Sequence, residues 1–549
     1  MHMGLNGRQP NLRASRYLIA AIQYKWRHTD LTDGPRRPEK KSKVVNVTSY
    51  NKLMEKYREI ALVGSVMRFM QWDMETYMPP LGVTIRSNQF GVLERISHRM
   101  LVSDELGSLL KEAERDNSSL GEIERRTLYL LRRGRDIEMS VPEDLVADLA
   151  SQIAVARDAW FRAKMARKWA LFEPELRKLL DLSIKRAERT MNAREASSIY
   201  DAMIDDFDRG ITQRQVAELL ASMRNSLLPL VRKYQEASRN VDTSFMRRQV
   251  PVQVQRAIVG DATALIGYDT SSDAAWGRVD PTEHPFTTGY YDDVRITVHY
   301  NENEMFDPLF GGLHEAGHAL YERNMNHDWI YQPLGLATSG GMHEAMSRFA
   351  ENIIGRSRPF WTYYLPRLKA ITGSTFSDVA IEELLRAVNK VEPSKIRVKA
   401  DEVTYSLHMV IRFEIERALF KGEIDISELP NIWNDLYDQY LQVKIDHDAE
   451  GILQDVHWSV GMFGSFQSYA LGNVYGGMLL RKMDEQLGDW SAEVEKGKPT
   501  VAIEWLKSNV QHWGSFYDAG DLMKKVTGSS LTAEPFVQYL TQKHSGLWD

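Results

Sequence analysis

From Asn46 onward the apolar residues recur at spacings of three and four, the period of a helix with one buried face. Ser140-Val-Pro-Glu143 reads as a capping box with proline in the first turn, and Leu145, Leu149, Ala156, Trp160 and Ala163 follow on one face. Thr212-Gln-Arg-Gln215 repeats that start signal ahead of Leu219, Leu220 and Met223. Further amphipathic stretches run over about 51–70, 173–192, 399–421 and 426–443, with breakers between them such as Pro79-Pro80 and Gly422. One stretch alternates and is rich in β-branched residues: Val294-Arg-Ile-Thr-Val-His-Tyr300. The pattern predicts a mainly α protein with one small sheet beside its most histidine-rich segment.

Hydrophobic residues are 43% and charged residues 26% of 549. That balance excludes a mainly disordered chain and supplies material for a large core. The net charge of −6 carries no basic excess, so nucleic acid is not an expected partner. The absence of cysteine removes disulfides, thiolate metal sites and cysteine nucleophiles together, and fits a reducing compartment such as the cytoplasm. No apolar run approaches the roughly 20 residues needed to span a bilayer, so no membrane partner is expected. Residues 1–45 hold ten Lys or Arg against three acids. They read as a mobile or artefactual basic extension, with an organelle address as the sharper alternative, and are set apart from a single catalytic domain over 46–549. Within it, 46–270 reads as a mostly helical half and 271–549 as the half that binds metal and substrate.

Of 14 histidines, six (284, 299, 314, 318, 327 and 343) fall within 60 residues. Among them lies His314-Glu-Ala-Gly-His318. Positions i and i+4 share a helix face, so both imidazoles can grip one ion. Glu315 follows about 100° round the helix, within reach of a metal-bound water. Gly317 lowers helix propensity by up to about 1 kcal/mol relative to Ala, which close packing would explain. A hydrolytic zinc site needs a third protein ligand and an open position. Glu322, His327, His343, Glu344 and Glu351 are the candidates. Glu322 continues the helical stripe but reads more simply as a solvated helix acid, and spacing favours Glu344 over His343 only slightly.

His314-Glu-Ala-Gly-His318 followed by His343-Glu-Ala-Met-Ser-Arg348 resembles the carboxypeptidase Taq family of metallocarboxypeptidases. Asp280-Pro-Thr-Glu-His-Pro-Phe286, Ile396-Arg-Val-Lys-Ala-Asp401 and Gly451-Ile-Leu-Gln-Asp-Val-His-Trp458 follow the family's elements in order, and Trp72-Asp-Met-Glu-Thr-Tyr-Met-Pro79 is similar to its N-terminal region. The resemblance spans roughly 46–549. It implies a large helical peptidase body with a deep active-site groove, like angiotensin-converting enzyme and neurolysin, with the small sheet beside the zinc-binding helix. It implies Glu344 as third ligand beside His314 and His318, Glu315 as general base, and Arg397 as the reader of the substrate's terminal carboxylate. By similarity to that wider group, His284 and His457 would hold substrate carbonyls and Tyr469 would hydrogen-bond the developing oxyanion. The resemblance further implies Zn²⁺ with tolerance of Co²⁺, peptides with a free C-terminus, broad specificity with poor cleavage next to proline, and a homodimer.

The chain departs from the family at Ala345-Met-Ser-Arg348, at Gly464-Ser-Phe-Gln-Ser-Tyr469 and at Tyr475-Gly-Gly-Met478, where substrate preference and the pocket's surroundings are at stake. The rival readings are a zinc endo-oligopeptidase, a dipeptide-releasing carboxypeptidase with the same ligands, and a non-catalytic helical scaffold. Retention of Glu315 speaks against the last, because a purely structural site has no use for a base.

Overall fold

The computed structural model describes residues 48–116 and 119–549. The basic extension expected over 1–45 lies outside the described residues. The periodic stretches fold as helices. The first becomes α1, Thr48–Thr76, and the later ones become Glu173–Arg194 and Leu429–Leu441. The start at Thr212 forms as expected. Its hydroxyl accepts from the Gln215 amide and the Gln215 side chain accepts from the Thr212 amide, opening Gln213–Ser238. The start expected at Ser140 does not form. Ser140 ends the preceding helix, Glu122–Ser140, and donates its hydroxyl back to the Asp136 carbonyl, so the next helix begins at Glu143 behind Pro142 without a side-chain cap. A serine in a last turn finds a carbonyl four residues back as readily as a free N–H ahead.

The expected strand forms over six residues, and two short strands join it in the order β1-β3-β2. β1 (Gly277–Pro281) runs parallel to β3 (Asp293–Val298), with Val279 opposite Ile296. β2 (Thr287–Tyr290) runs antiparallel to β3, with Thr287 also opposite Ile296. Gly, Pro and Thr blur the alternation of β1 and β2, so neither stands out in sequence. Two of the sequence motifs meet here. The buried Asp280 carboxylate on β1 accepts from the Trp72 indole at 3.2 Å and the Tyr77 hydroxyl at 2.6 Å, which ties the end of α1 to the sheet.

The sheet packs against α2 (Phe306–Asn324), which carries the His-Glu-Ala-Gly-His run and buries Leu309, Leu313, Ala316, Ala319 and Leu320. α3 (Gly340–Arg348) lies across α2 and continues into a π-helical turn, Phe349–Ile354, a local geometry frequent at functional sites. α4 (Glu402–Phe420) and α5 (Phe466–Leu487) complete the wall behind it. One hydrophobic core runs from Ala156 to Leu540, and a smaller one joins α1 to the two helices that follow Ser103 and Gly121. Among the described residues no helix is long and apolar enough to cross a membrane.

Candidate metal centre and active site

The i,i+4 spacing on α2 places the two imidazoles side by side, with ring centroids 4.9 Å apart. α3 brings Glu344 to them. Its Oε2 stands 3.8 Å from His314 Nε2 and 3.6 Å from His318 Nε2, and the three ligand atoms lie within 4.8 Å of one another. A tetrahedral ion with bonds near 2.05 Å separates its ligand atoms by roughly 3.3 Å, so this triangle suits a zinc-like cation with little adjustment. Two imidazoles and one carboxylate, with the fourth side open to a cleft, are the donor set of a catalytic rather than a structural site.

The outer groups explain why these atoms face inward. Glu351 Oε2 stands 2.9 Å from His314 Nδ1, which turns Nε2 toward the site. Arg348, at the end of α3, donates to Glu344 Oε1 at 2.8 Å and to Glu351 at 3.3 Å, leaving Glu344 Oε2 on the open side. Arg348 itself lies over the Tyr405 ring, 4.0 Å from its centroid. Burial alone would raise the Glu344 carboxyl, but Arg348 and His314 outweigh it and hold it below its ordinary value. Burial and the neighbouring His343, His314 and Arg348 push His318 well down, so this imidazole stays neutral and able to ligate. Burial also pushes His314 down, yet the Glu344 and Glu351 carboxylates reverse the sign.

Glu315 is buried beside the triad. The Thr287 hydroxyl, on β2, stands 2.6 Å from its Oε2 and 2.9 Å from its main-chain carbonyl. Burial raises the Glu315 carboxyl above its ordinary value, against the pull of His314 and Thr287. No pattern in the sequence singles out Thr287.

The other candidates separate by place. His343 stays outside the triangle and backs it: its ring stacks on His318 at 4.4 Å, its Nδ1 meets His318 Nδ1, and its Nε2 lies 3.0 Å from Glu322 Oε1. Glu322 is therefore not the solvated acid expected: its side chain is 14% exposed and holds His343. Glu351 backs His314, and the exposed His327 packs on Tyr291.

His314, Glu315, His318, Glu344, Arg397 and Tyr469 all line one cleft of about 910 Å³. Arg397 sits in a short turn, Arg397–Lys399, that enters α4. Its Nε donates to Asp455 Oδ1 at 2.8 Å, and its Nη1 lies 3.3 Å from the Tyr405 hydroxyl. Gln454 Oε1 accepts from the Arg397 main-chain N–H at 2.9 Å, and Arg412 holds the far oxygen of Asp455 at 2.7 Å. The two adjacent residues of the Gln-Asp-x-His-Trp run thus fix backbone and head group of one arginine. Asp401, which ends the Ile-Arg-x-x-Ala-Asp run, caps α4 through the Val403 and Thr404 amides.

Tyr469, in the first turn of α5, places its ring 5.3 Å from the Arg397 guanidinium carbon. Its hydroxyl is 3.1 Å from His457 Nε2. His457 is buried behind that hydroxyl and does not line the cleft. Burial, aided by Arg397 and Arg412 against Asp455, pushes its imidazole down to about 4. His284 stands exposed on the link between β1 and β2, next to Pro285, which lines the cleft although His284 does not.

A mostly helical body, an imidazole pair completed by a carboxylate, and a second carboxylate poised beside them define a metallopeptidase. The chain belongs to the carboxypeptidase Taq (M32) metallopeptidase family, which matches residues 52–544, and is by that membership a metallocarboxypeptidase. It is 34% identical to thermostable carboxypeptidase 1 of Thermus thermophilus, over 91% of this chain and 99% of that one. It is also 34% identical to carboxypeptidase 1 of Bacillus subtilis, over 89% and 97%. Among solved structures, the M32 carboxypeptidase of Deinococcus radiodurans superposes with a TM-score of 0.87 at 33% identity, covering 91% of this chain and 99% of that one. Metallocarboxypeptidase 1 of Trypanosoma cruzi superposes at 0.86 with 30% identity, covering 90% and 99%.

Proposed function

We propose that the protein removes single residues from the C-termini of peptides, with His314, His318 and Glu344 as metal ligands and Glu315 as the general base. The observation that carries this reading is that Arg397 lines the same cleft as the triad, on a turn held by Gln454 and Asp455. A guanidinium reads a planar carboxylate in a directional, two-pronged way, which suits a substrate's terminal carboxylate. Asp455 occupies Nε and Tyr405 takes one Nη1 proton, so Nη2 and the second Nη1 proton remain for the ligand.

A divalent ion in the triangle, Zn²⁺ by its donor set and Co²⁺ as a substitute, would acidify a bound water and polarise the scissile carbonyl. Glu315 takes the proton from the attacking water and gives it to the leaving amine. Thr287 keeps its carboxylate aimed. The Tyr469 hydroxyl donates to the oxyanion as it forms. Arg397 draws in the terminal residue and excludes longer overhangs, which makes the cut exopeptidic. His457, neutral at working pH, aims Tyr469; His284 would meet the substrate only if the β1–β2 link closes on it.

A cleft of this size, lined by both polar and apolar side chains, supports broad acceptance of the released residue. Proline, with a fixed φ and no N–H, fits such an extended clasp poorly. A cytoplasmic homodimer completes the reading; light scattering gives its mass directly. The decisive experiment measures bound metal alongside a mass-spectrometric time course of a long peptide. Stepwise loss of single C-terminal residues, abolished by chelation and restored by Zn²⁺, is expected. Internal cuts or released dipeptides would reassign the activity to an endopeptidase or a dipeptide-releasing enzyme.

A further inference from the structure

Tyr469 and Glu344 come from different helices, yet one carboxylate from the N-terminal half holds the start of both. Asp208 lies in the turn after the short helix Ile199–Ile204 and is 1% exposed. Its Oδ1 accepts from the Gly341 N–H at 2.8 Å, in the first turn of α3 and three residues before Glu344. Its Oδ2 accepts from the Ser468 hydroxyl at 2.5 Å and from the Gln467 amide at 3.3 Å, the two residues before Tyr469. The Ser339 hydroxyl caps α3 by accepting from the Met342 N–H at 3.1 Å, and the Phe207 carbonyl, next to Asp208, accepts from the Gly340 N–H at 2.7 Å. The approach is close. A Cβ on Gly341 would stand 2.9 Å from Asp208 Oδ1, and one on Gly340 3.1 Å from Ser468 Oγ. Gly472 closes the other side, where a Cβ would meet Glu344 Cγ at 2.7 Å.

We propose that Asp208 is a positioning residue for catalysis: its carboxylate clasps the N-termini of α3 and α5 and so sets the distance between the metal ligand Glu344 and the oxyanion donor Tyr469. The proposal rests on the metallocarboxypeptidase reading of the site. A carboxylate suits the task because it accepts from several donors at once and favours the positive end of a helix. Arg397 is held by other residues, Gln454 and Asp455, so the clasp acts on turnover and metal rather than on capture of the terminal carboxylate.

The test compares Asp208→Ala with Asp208→Asn, reading kcat and KM on a tripeptide and, separately, Zn²⁺ affinity of the metal-free protein by competition with a chromophoric chelator. Asn keeps an oxygen for Gly341 and an NH₂ that a rotated Ser468 hydroxyl accepts. Asp208→Ala is expected to lose about 10- to 100-fold in kcat and about tenfold in zinc affinity, the range for groups that orient metal ligands. Its KM should stay within about threefold, the mark of an interaction lost in turnover rather than in binding. Asp208→Asn should recover most of the kcat. A folded Asp208→Ala protein with wild-type kcat and zinc affinity, or one that loses KM and kcat alike, overturns the proposal. If Asp208→Ala does not fold, Ser468→Ala releases the Tyr469 helix alone: reduced kcat at unchanged zinc affinity supports the clasp, and wild-type kcat overturns it. Wild-type protein that binds Zn²⁺ but trims no peptide would defeat the enzymatic reading, while the zinc affinities would still decide the clasp.

Discussion

A Cβ on Gly317 would lie 2.6 Å from the carbonyl oxygen of Met346. It would also stand 2.7 Å from Ser347 Cα, so α2 and α3 touch backbone to backbone between His318 and Glu344. Gly317→Ala would gain up to about 1 kcal/mol of helix propensity. The forced separation costs about 1–3 kcal/mol, so the variant should be less stable overall and bind Zn²⁺ more weakly. Urea unfolding and a zinc titration check this; a stabilised protein with unchanged affinity would show that the helices part freely.

Glu315 is buried and bonded to Thr287, outside the ligand triangle. Glu315→Gln keeps that shape and removes the proposed base. Turnover should fall about 10²- to 10⁴-fold with bound metal near stoichiometric. Near-normal activity in a fully loaded variant would contradict its role.

Arg397→Ala should impair substrates with a free C-terminal carboxylate far more than their amidated forms. Asp455→Asn, which frees the guanidinium without deleting it, should raise KM for the same substrates while leaving zinc affinity alone. Equal loss on acid and amide substrates would remove Arg397 as the carboxylate reader.

Tyr469→Phe deletes the proposed oxyanion donor and should cost about 10²- to 10³-fold in kcat. His457→Phe should cost less, because it touches that hydroxyl and not the cleft. In the double variant the losses should fall well short of multiplying, since both act through one hydroxyl. Full multiplication would mean that His457 meets the substrate itself.

His544 is 1% exposed, with its Nδ1 3.2 Å from the Trp548 indole nitrogen. Burial, with Lys543 nearby and Glu402 opposing, pushes its imidazole from 6.5 down to about 4, as it does His457. The folded chain refuses protons that the unfolded chain accepts between these values. Stability from these groups is therefore present above pH 6.5 and lost as the pH falls toward 4. Denaturant unfolding across that window should show the decline, and His544→Asn should flatten it; an identical slope would assign the acid sensitivity elsewhere.

Helical pattern and i,i+4 spacing made much of this protein legible. The helices over 173–194 and 402–420 and the pairing of His314 with His318 are local consequences of a 3.6-residue period. Local signals failed where neighbours competed for one group. Ser140 bonded backward, and Glu322 found His343 instead of water. His457 and Asp208 carry no motif geometry of their own, since each is defined by side chains from distant elements.

By itself the sequence determined the helical body, the imidazole pair and the presence of an acid beside it, because those follow from periodicity and from residues adjacent on one helix. Only the tertiary structure set Glu344, and not its neighbour His343 about 100° round the same short helix, into one triangle with His314 and His318. Close packing of α3 on α2 at Gly317 and on α5 at Gly472 sets the Glu344 carboxylate against the Nε2 atoms of His314 and His318. Contacts between backbones far apart in the chain have no period; a helix-weakening glycine such as Gly317 hints that one exists but does not name its partner.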